Sequence, residues 1–486
     1  MKLGIITKGL LMKNSKPNII LINCDDLGYG DIGCFGSKIN ETPYIDQMAD
    51  EGLKLTDFYM ASPVCSPSRA AMLTGSYPQR VGIPNVLRPV SEIGLDPKEE
   101  TISSMLKKGG YSTKLIGKWH LGDQQEFLPS KHGFDEYFGI PYSNDMGKMI
   151  PNPNSDPQRK NFPPLPLMRD NDVIQEQPAQ EGITERYTED AVTFIRDNQT
   201  NPFFLYFAHM HVHRPILVSR RFTKTAKNGR YGAAVEAIDW SVGVILHELR
   251  NLGIDQNTIV IFTSDNGSNA NLGGSNDPLR GTKGTTWEGG MRLPLIIRWP
   301  EKIKPGTISN SVATSMDLLP TLAAITENSL QENNIIDGEN IEPIFFQPEN
   351  DFHHKPFFYY LQNTLCAVRS GQWKLHVVRS ERTKNRTGGT GGFGTRAVLK
   401  STNVLELYDL SKDPHEDHNV ASDNPEIVKE LSSYLEDCRK DLGDESKEIQ
   451  GSKRRLPGKV NNPVPLTTFD PNTPVMWAEY DIDEYG

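Results

Sequence analysis

Short, continuous apolar runs that stop at polar residues are the most regular pattern in the sequence. Residues 17–23 (PNIILIN) form one such run, which a cysteine and two aspartates follow. An unbroken apolar, β-branched run of this length is typical of a strand that is buried on both faces, as in parallel sheets. The same pattern predicts further strands at residues 112–116, 203–208, 258–263 and 293–299.

Helical signals lie between these strands. Residues 230–252 have helical periodicity throughout. Residues 42–52 open with Thr-Pro and close with Gly, and residues 66–75 open with Ser-Pro and close with Gly, so both stretches carry the boundary residues of a short helix. Strands that alternate with helices predict an α/β fold, with a large, mixed but mostly parallel sheet flanked by helices.

The pattern changes after about residue 328, and the 486 residues are more than one hydrophobic core usually organises. Shorter strand-like runs follow at residues 357–360, 367–378 and 405–410, and then a helix at residues 425–441. We therefore predict a large domain over residues 17–328, and a smaller antiparallel sheet with one helix and an irregular tail over residues 329–486. A Pro- and Asn-rich stretch at residues 150–180 is predicted to be an irregular insertion.

Charge and composition exclude several classes of protein. A formal net charge of −10 argues against binding nucleic acid through a broad basic face. No apolar run is long enough to span a membrane, and the first 18 residues lack the pattern of a signal peptide. The five cysteines are scattered and odd in number, so they do not describe a disulfide framework. We expect a soluble protein whose positive contacts with an anionic ligand are local.

Three of the predicted strands end in polar clusters. These clusters are Asp25-Asp26, Lys118 with His120, and Asp265-Asn266. In open α/β sheets, ligands bind beyond the carboxyl ends of the strands. We therefore expect the three clusters to meet in one site.

Cys65 opens the most specific motif, Cys-Ser-Pro-Ser-Arg at residues 65–69, which AAMLTG follows. Its place just before a predicted helix N-terminus favours an oxyanion there, although a lone cysteine is more often a small buried apolar residue. The motif resembles the signature of the formylglycine-dependent type I sulfatases of the alkaline phosphatase superfamily, in their arylsulfatase A-like branch. Blocks in the family's order, among them GKWHLG, FTSDNG and LRGTKGTTWEGGMRLP, extend the resemblance over about residues 17–422.

This resemblance implies an alkaline phosphatase-like sulfatase fold, with residues 17–328 as the catalytic domain, and the hydrolysis of sulfate esters. It also implies a maturation partner, a formylglycine-generating enzyme that converts Cys65 to formylglycine (3-oxoalanine). One hydroxyl of the hydrated aldehyde would attack sulfur, and the second would then expel sulfate from the covalent intermediate.

Four residues match the metal ligands of the family: Asp25, Asp26, Asp265 and Asn266. They offer only oxygen donors, which suit one calcium ion better than zinc. Adjacent aspartates point to opposite faces within a strand, so both reach one ion only if the strand has ended before them. For an isolated Asp-Asp pair, the alternative is a solvated turn.

The resemblance also assigns the groups that handle sulfate and protons. Lys118 and Lys283 would hold sulfate oxygens and stabilise the charge that develops on them. His120 would assist the hydroxyl that later eliminates, and His213 would protonate the leaving alcohol. The alternatives are that the lysines are surface residues and that either histidine is structural.

Arg69 and Ser143 complete the predicted site. Arg69 would bridge the nucleophile and the metal shell, and Ser143 would bind the sulfate or the aldehyde hydrate through a hydrogen bond. His209, His211 and His213 occupy alternate positions and would share one face of an extended segment. His211 is therefore the alternative to His213.

The sequence thus predicts a sulfatase that acts on a sulfated carbohydrate, as periplasmic or secreted bacterial relatives do. One alternative is a phosphomonoester or phosphodiester hydrolase of the same superfamily, which commonly holds two metals with histidine ligands. The other is a non-catalytic binder of sulfated glycans, if Cys65 is not matured. The glycine-rich run at residues 388–394, which follows the basic residues 379–386, predicts a flexible surface loop. The alternative is a mobile basic flap that contacts a polyanionic substrate.

Overall fold

Strand β1 (Asn18–Cys24) lies at the centre of a large sheet, and all of its residues are buried. The computed structural model describes residues 16–148, 162–332, 334–350, 352–384, 397–470 and 472. In it, β1 pairs in parallel with Phe203–Ala208 on one side and with Thr258–Ser264 on the other. The continuous apolar pattern of this strand is therefore explained by burial of both faces, as predicted.

Ten strands form the sheet in the order β11-β2-β10-β9-β1-β8-β4-β5-β6-β7, and β12 pairs with β2. Their bounds, after β1, are β2 Leu53–Tyr59, β4 Ser112–Lys118, β5 Glu136–Ile140, β6 Pro166–Arg169, β7 Asp172–Glu176, β8 Phe203–Ala208, β9 Thr258–Ser264, β10 Arg292–Arg298, β11 Thr307–Ser309 and β12 Ala313–Thr314. Strand β3 (Ile93–Gly94) lies outside this sheet and pairs with β19 (Gly458–Lys459). Strand β10 is antiparallel to both of its neighbours, and β6 is antiparallel to β5 and β7. The other pairs are parallel, so the predicted mixed, mostly parallel sheet is confirmed.

Helices cover both faces of this sheet. They are α1 Pro43–Asp50, α2 Cys65–Thr74, α3 Ile102–Lys108, α4 Ile183–Asp197, α5 Arg220–Thr223, α6 Gly229–Asn251, α7 Glu288–Met291, α8 Leu318–Ile325, α9 Glu342–Phe346 and α10 Pro425–Leu442. Ile20 and Ile22 pack in one core with residues of α4 and α6. Ile19 and Leu21 pack in a second core with residues of α2, α3 and α8. Alternate side chains of β1 thus enter two different cores, which is the expected geometry of a strand between two helical layers.

The C-terminal part of the chain forms an antiparallel sheet in the order β13-β14-β15-β16, whose strands are Phe357–Leu361, Thr364–Ser370, Trp373–Lys384 and Ala397–Asp409. Helix α10 packs on this sheet through Leu431, Leu435 and Cys438. Two short strands, β17 (Gly443–Asp444) and β18 (Ile449–Gln450), follow the helix. The prediction of a single strand over residues 367–378 is wrong, because a turn with positive φ at Gly371 divides it into β14 and β15.

The predicted irregular insertion at residues 150–180 is also wrong in part. Residues 166–176 form the antiparallel pair β6 and β7, which extends the large sheet at its edge. Residues 149–161 lie outside the described residues. The basic residues up to Lys384 belong to strand β15, not to a loop, while the glycine-rich run at residues 388–394 lies outside the described residues. No described helix is both long and apolar enough to cross a membrane.

Candidate active site

The polar residues that follow β1, β4 and β9 meet at one edge of the large sheet, as the strand-end argument predicts. Backbone hydrogen bonds join the strand ends: Asp25 N donates to the carbonyl of His211 at 3.0 Å, and Asp265 N donates to the carbonyl of Cys24 at 3.0 Å. Both aspartates and Lys118 are completely buried. Order in the sheet, β9-β1-β8-β4, therefore brings residues from distant parts of the chain into one buried cluster.

The four predicted metal ligands are neighbours. Asp26 N donates to Asp265 Oδ1 at 3.2 Å, and Asn266 Nδ2 donates to Asp26 Oδ1 at 2.7 Å. Strand β1 has ended at Cys24, and Asp26 has a φ of 66°, so the two adjacent aspartates do not follow the alternation of a strand. Among the described residues, the buried Asn266 Oδ1 has no hydrogen-bond partner. This unpaired oxygen beside three carboxylates fits a hard, oxygen-loving cation.

The side chains that come closest together as potential metal ligands form a slightly different set. Ligand atoms of Asp25, Asp26, Cys65 and His213 all lie within 4.8 Å of one another. Asp265 is turned toward Arg69, whose Nε donates to Asp265 Oδ2 at 2.9 Å. The geometry thus joins two of the predicted ligands to the predicted nucleophile and proton donor, while Asp265 also neutralises a buried guanidinium.

Cys65 is the first residue of helix α2, and Val64 is its N-cap. The prediction that Ser66 caps this helix is wrong by two positions, and Ser66 Oγ instead accepts a hydrogen bond from Leu87 N at 3.1 Å. Cys65 Sγ lies 3.5 Å from Asp25 Oδ1 and 3.4 Å from Lys283 Nζ. Burial, followed by the charge of Asp25, raises the pKa of the Cys65 thiol to about 12. The unmodified thiol is therefore protonated at neutral pH and is a poor nucleophile.

Three cations face the three carboxylates of the cluster, and two of them, Lys118 and Arg69, are completely buried. Lys283 Nζ donates to both carboxylate oxygens of Asp26, at 2.6 and 2.8 Å, while Lys118 Nζ contacts Asp25 Oδ2 and, at 3.3 Å, Ser143 Oγ. Burial acts against the charge of Lys118, but the carboxylate of Asp25 outweighs it and raises the pKa of this lysine. Both lysines therefore remain protonated, so the cluster presents fixed positive charge beside Cys65.

Arg69 lies one helical turn after Cys65 and is completely buried. Its Nη1 donates to the carbonyl of Lys118 at 2.9 Å, and its Nη2 lies 2.8 Å from Asp265 Oδ2 and 3.7 Å from Asp25 Oδ2. This side chain therefore connects helix α2, the end of β4 and the carboxylates, and its role between a nucleophile and a metal shell stays a prediction.

His209, His211 and His213 lie in different environments. Strand β8 ends at Ala208 and the chain then turns, so the prediction that His209, His211 and His213 share one extended face is wrong. His209 Nε2 lies 3.1 Å from Ser241 Oγ of helix α6. His213 Nδ1 donates to the carbonyl of Arg214 at 2.6 Å, and its Nε2 lies 3.9 Å from Asp26 Oδ2. His213, not His209 or His211, therefore belongs to the cluster of closest ligand atoms.

His120 and Ser143 also lie at this site. His120 Nε2 donates to the carbonyl of Leu87 at 3.0 Å, and the buried Nδ1 has no hydrogen-bond partner among the described residues. Burial, with the nearby charge of Lys118, holds the pKa of His120 well below its usual value. Ser143 Oγ lies 3.4 Å from His213 Nδ1. A neutral His120 with an unpaired Nδ1 is able to accept a proton.

Sequence reasoning missed the residues that support the site from behind. Tyr231 OH of helix α6 contacts Asp31 Oδ2 and lies 3.4 Å from the carbonyl of Asp26. Asp31 also accepts hydrogen bonds from Gly28 N and Ser275 N, both at 2.7 Å. Asp31 belongs to the GYGD segment, which follows the predicted ligands Asp25 and Asp26 closely in the sequence. Its partner Tyr231 is 200 positions away, and no sequence pattern connects the two residues.

Carboxylates, cations and a cysteine at a helix N-terminus thus lie together beyond the ends of parallel strands. This is the arrangement of the alkaline phosphatase-like hydrolases of anionic esters. Within that class, the chain belongs to the sulfatase family: the family model described as Sulfatase matches residues 17–328, and the model for the C-terminal region of aryl-sulfatase matches residues 352–458. It is therefore a sulfuric ester hydrolase, as predicted.

Relatives of known name are similar over most of their length. N-acetylgalactosamine-6-sulfatase of Mus musculus is 38% identical, with 88% of this chain and 86% of the relative covered. Arylsulfatase A of Homo sapiens is 38% identical, with 85% and 86% covered. The crystal structure of Ps i-CgsB in complex with k-i-k-neocarrahexaose has 31% identity and a TM-score of 0.74, with 87% of this chain and 92% of that chain covered.

Proposed function

We propose that this sulfatase hydrolyses sulfate esters of a sulfated carbohydrate, with Cys65 matured to formylglycine and one calcium ion held by Asp25, Asp26, Asp265 and Asn266. The observation that carries the proposal is the position of Cys65. Its Sγ lies at the N-terminus of α2, 3.4 Å from the ammonium of Lys283 and 3.5 Å from the carboxylate of Asp25. A nucleophile placed there faces positive charge, which an incoming sulfate requires.

Maturation of residue 65 would supply a hydrated aldehyde, whose two hydroxyls allow attack on sulfur and later release of sulfate. Lys118 and Lys283 would bind the sulfate oxygens, because each is held protonated by a carboxylate beside Cys65. Ser143 Oγ, which accepts from Lys118 Nζ at 3.3 Å, would orient the same oxygens. These residues stabilise charge that grows on the sulfate during the reaction.

Two histidines would move protons. His120 is held by the bond from its Nε2 to Leu87, so its Nδ1 is left to accept the proton of the eliminating hydroxyl. His213 is held by the bond from its Nδ1–H to the carbonyl of Arg214, so its Nε2 would carry a second proton in the imidazolium form and give that proton to the leaving alcohol. A calcium ion would supply a Lewis-acid contact to the reacting oxygens.

A carbohydrate substrate is supported by two relatives. One is named for N-acetylgalactosamine, and another was crystallised with k-i-k-neocarrahexaose. The proposal includes a periplasmic or secreted place of action and a formylglycine-generating enzyme as the maturation partner.

The test is sulfate release, measured by ion chromatography, from a panel of sulfated glycans and one aryl sulfate. The enzyme is co-expressed with a formylglycine-generating partner, and mass spectrometry of the peptide that contains residue 65 measures conversion. We expect release from at least one glycan, and a loss of roughly 10⁴-fold or more in Cys65→Ala, because the nucleophile is removed.

Cys438→Ala, which removes another buried thiol, is the matched control and should keep its activity. Converted enzyme that releases no sulfate, but hydrolyses phosphate esters, would favour the phosphohydrolase alternative and contradict the proposal. In the same preparations, calcium added after EDTA should raise the midpoint of thermal unfolding. An unchanged midpoint would contradict the calcium assignment.

A further inference from the structure

The loop at residues 84–91 is fixed to the active site by its backbone. The carbonyl of Leu87 accepts a hydrogen bond from His120 Nε2 at 3.0 Å, and Leu87 N donates to Ser66 Oγ at 3.1 Å. Ser66 is the neighbour of the proposed nucleophile. Farther along, Val90 N donates to the buried carboxylate of Asp123 at 2.6 Å. These contacts hold the loop in one position relative to the reacting groups.

Arg88 lies between these anchors and is exposed, although both of its neighbours, Leu87 and Pro89, are buried. Proline restricts the residue before it to extended conformations, so the backbone of Arg88 is also restricted. Within the described part of the chain, its guanidinium makes no hydrogen bond or ion pair. The three cations inside the site, in contrast, are all paired with carboxylates.

The reach of Arg88 follows from covalent geometry. One peptide bond separates it from the carbonyl that His120 binds, so its Cα lies within about 6 Å of His120 Nε2. An extended arginine side chain adds roughly 6–7 Å. Its guanidinium is therefore able to reach groups up to about 13 Å from His120 Nε2, which is far enough to meet a substituent on the carbohydrate that leaves.

We infer that Arg88 is a specificity-determining residue that binds a second anionic group of the substrate, a sulfate or a carboxylate on the leaving carbohydrate. A guanidinium binds such oxyanions through two parallel hydrogen bonds. The protein carries a net charge of −10, so recognition of a polyanion requires a local cation of this kind. The inference rests on the proposed function, since it assumes that the leaving group is a carbohydrate.

The test compares three oligosaccharides that share the hydrolysed sulfate but carry a second sulfate, a carboxylate or no second charge. In Arg88→Gln, KM for the doubly charged substrates should rise roughly 10- to 100-fold, as expected for a lost charged hydrogen bond. KM for the singly charged substrate and all kcat values should stay the same. Arg88→Lys should restore part of the affinity, because it keeps the charge but not the paired geometry.

Lys304→Gln is the matched control, because Lys304 is an exposed cation in the connection between β10 and β11. It should leave all three KM values unchanged. A larger KM in Arg88→Gln for only one of the two doubly charged substrates identifies the second group as sulfate or as carboxylate. An equal effect on all three substrates, or none, would overturn the inference while leaving the proposed function intact. No hydrolysis of any substrate by converted wild-type enzyme would overturn both.

Discussion

Two buried clusters in this protein have nearly the same charge composition but different surroundings. The first is the candidate active site, whose carboxylates are Asp25, Asp26 and Asp265 and whose cations are Arg69, Lys118 and Lys283. The second lies between the large and the small sheet, and it contains Asp57, Glu288 and Glu416 with Arg292, Arg369 and Lys374. Balanced charge is therefore not what distinguishes a catalytic cluster from a structural one.

The difference lies in access and in the neutral groups around the charges. Lys283 in the active site has a side chain that is 14% exposed, whereas Lys374 in the cluster between the sheets is completely buried. The hydroxyls of Tyr59 and Tyr359 donate to the carboxylate of Glu288. The active site instead has a thiol, the free oxygen of Asn266 and the free Nδ1 of His120 beside its charges. Among the described residues, atoms without a hydrogen-bond partner also occur between the sheets, at Arg292 Nη1 and His376 Nδ1. An accessible cation beside a thiol is thus the feature that distinguishes the candidate active site.

The cluster between the sheets holds the two parts of the protein together. Lys374 Nζ of β15 lies 2.9 Å from Glu288 Oε1 of α7 and 3.0 Å from Glu416 Oε1, and it donates to the carbonyl of Thr286 at 2.9 Å. Glu416 Oε2 accepts from Glu288 N at 2.8 Å. The loop that begins at Lys283 is therefore tied, through Thr286 and Glu288, to the smaller sheet.

The largest effect is expected for Lys374→Met. The substitution keeps most of the length of the side chain but removes the ammonium that pairs with two buried carboxylates, so we expect the free energy of unfolding to fall by about 3–5 kcal/mol. Urea unfolding measures this change. Lys440→Met, which breaks an exposed ion pair with Asp437, is the control and should unfold like the wild type. A stable Lys374→Met variant would show that the cluster does not hold the sheets together.

Lys283→Met, the same substitution in the candidate active site, should lower activity strongly and stability only a little. It removes a donor beside Cys65, so we expect kcat for an aryl sulfate to fall by roughly 10²–10³-fold. The free energy of unfolding should change less than in Lys374→Met, because Lys283 is partly exposed and Asn266 still donates to Asp26. Steady-state kinetics and urea unfolding on the same samples measure both. Equal losses of stability in the two variants would break the comparison.

Features that depend on a local sequence pattern were predicted correctly, whereas contacts between residues far apart in the sequence were not. Strand β1 and helix α6 follow from continuous or periodic patterns, and the meeting of Asp25, Lys118 and Asp265 follows from the general rule on strand ends. The hairpin of β6 and β7 was missed because its Pro- and Asn-rich flanks obscure two short strands. The cluster between the sheets was missed because its partners, such as Lys374 and Glu288, are 86 positions apart. Neither residue type, taken alone, indicates burial.

His376 provides the smallest but most specific test, because it distinguishes the two clusters by pH. Its Nε2 lies 2.7 Å from Glu416 Oε1, and its ring lies 4.8 Å from that of Trp287. Burial, followed by the charge of Lys374, lowers the pKa of His376 below its ordinary value. Below pH about 6.5 the unfolded chain therefore binds a proton that the folded protein does not, so stability falls as the pH falls.

For His376→Gln, which keeps a donor for Glu416, we expect this contribution to disappear. Between the ordinary pKa of histidine and the lowered one, the wild type should lose up to about 1.4 kcal/mol of stability per pH unit from this residue. As the pH falls from 7 to 5, the free energy of unfolding of the variant should therefore rise relative to that of the wild type. Between pH 7.5 and 8.5 the difference between the two proteins should stay constant. Urea unfolding across this range measures the difference. Parallel curves would mean that His376 has the same pKa in the folded and the unfolded protein, and they would contradict the prediction.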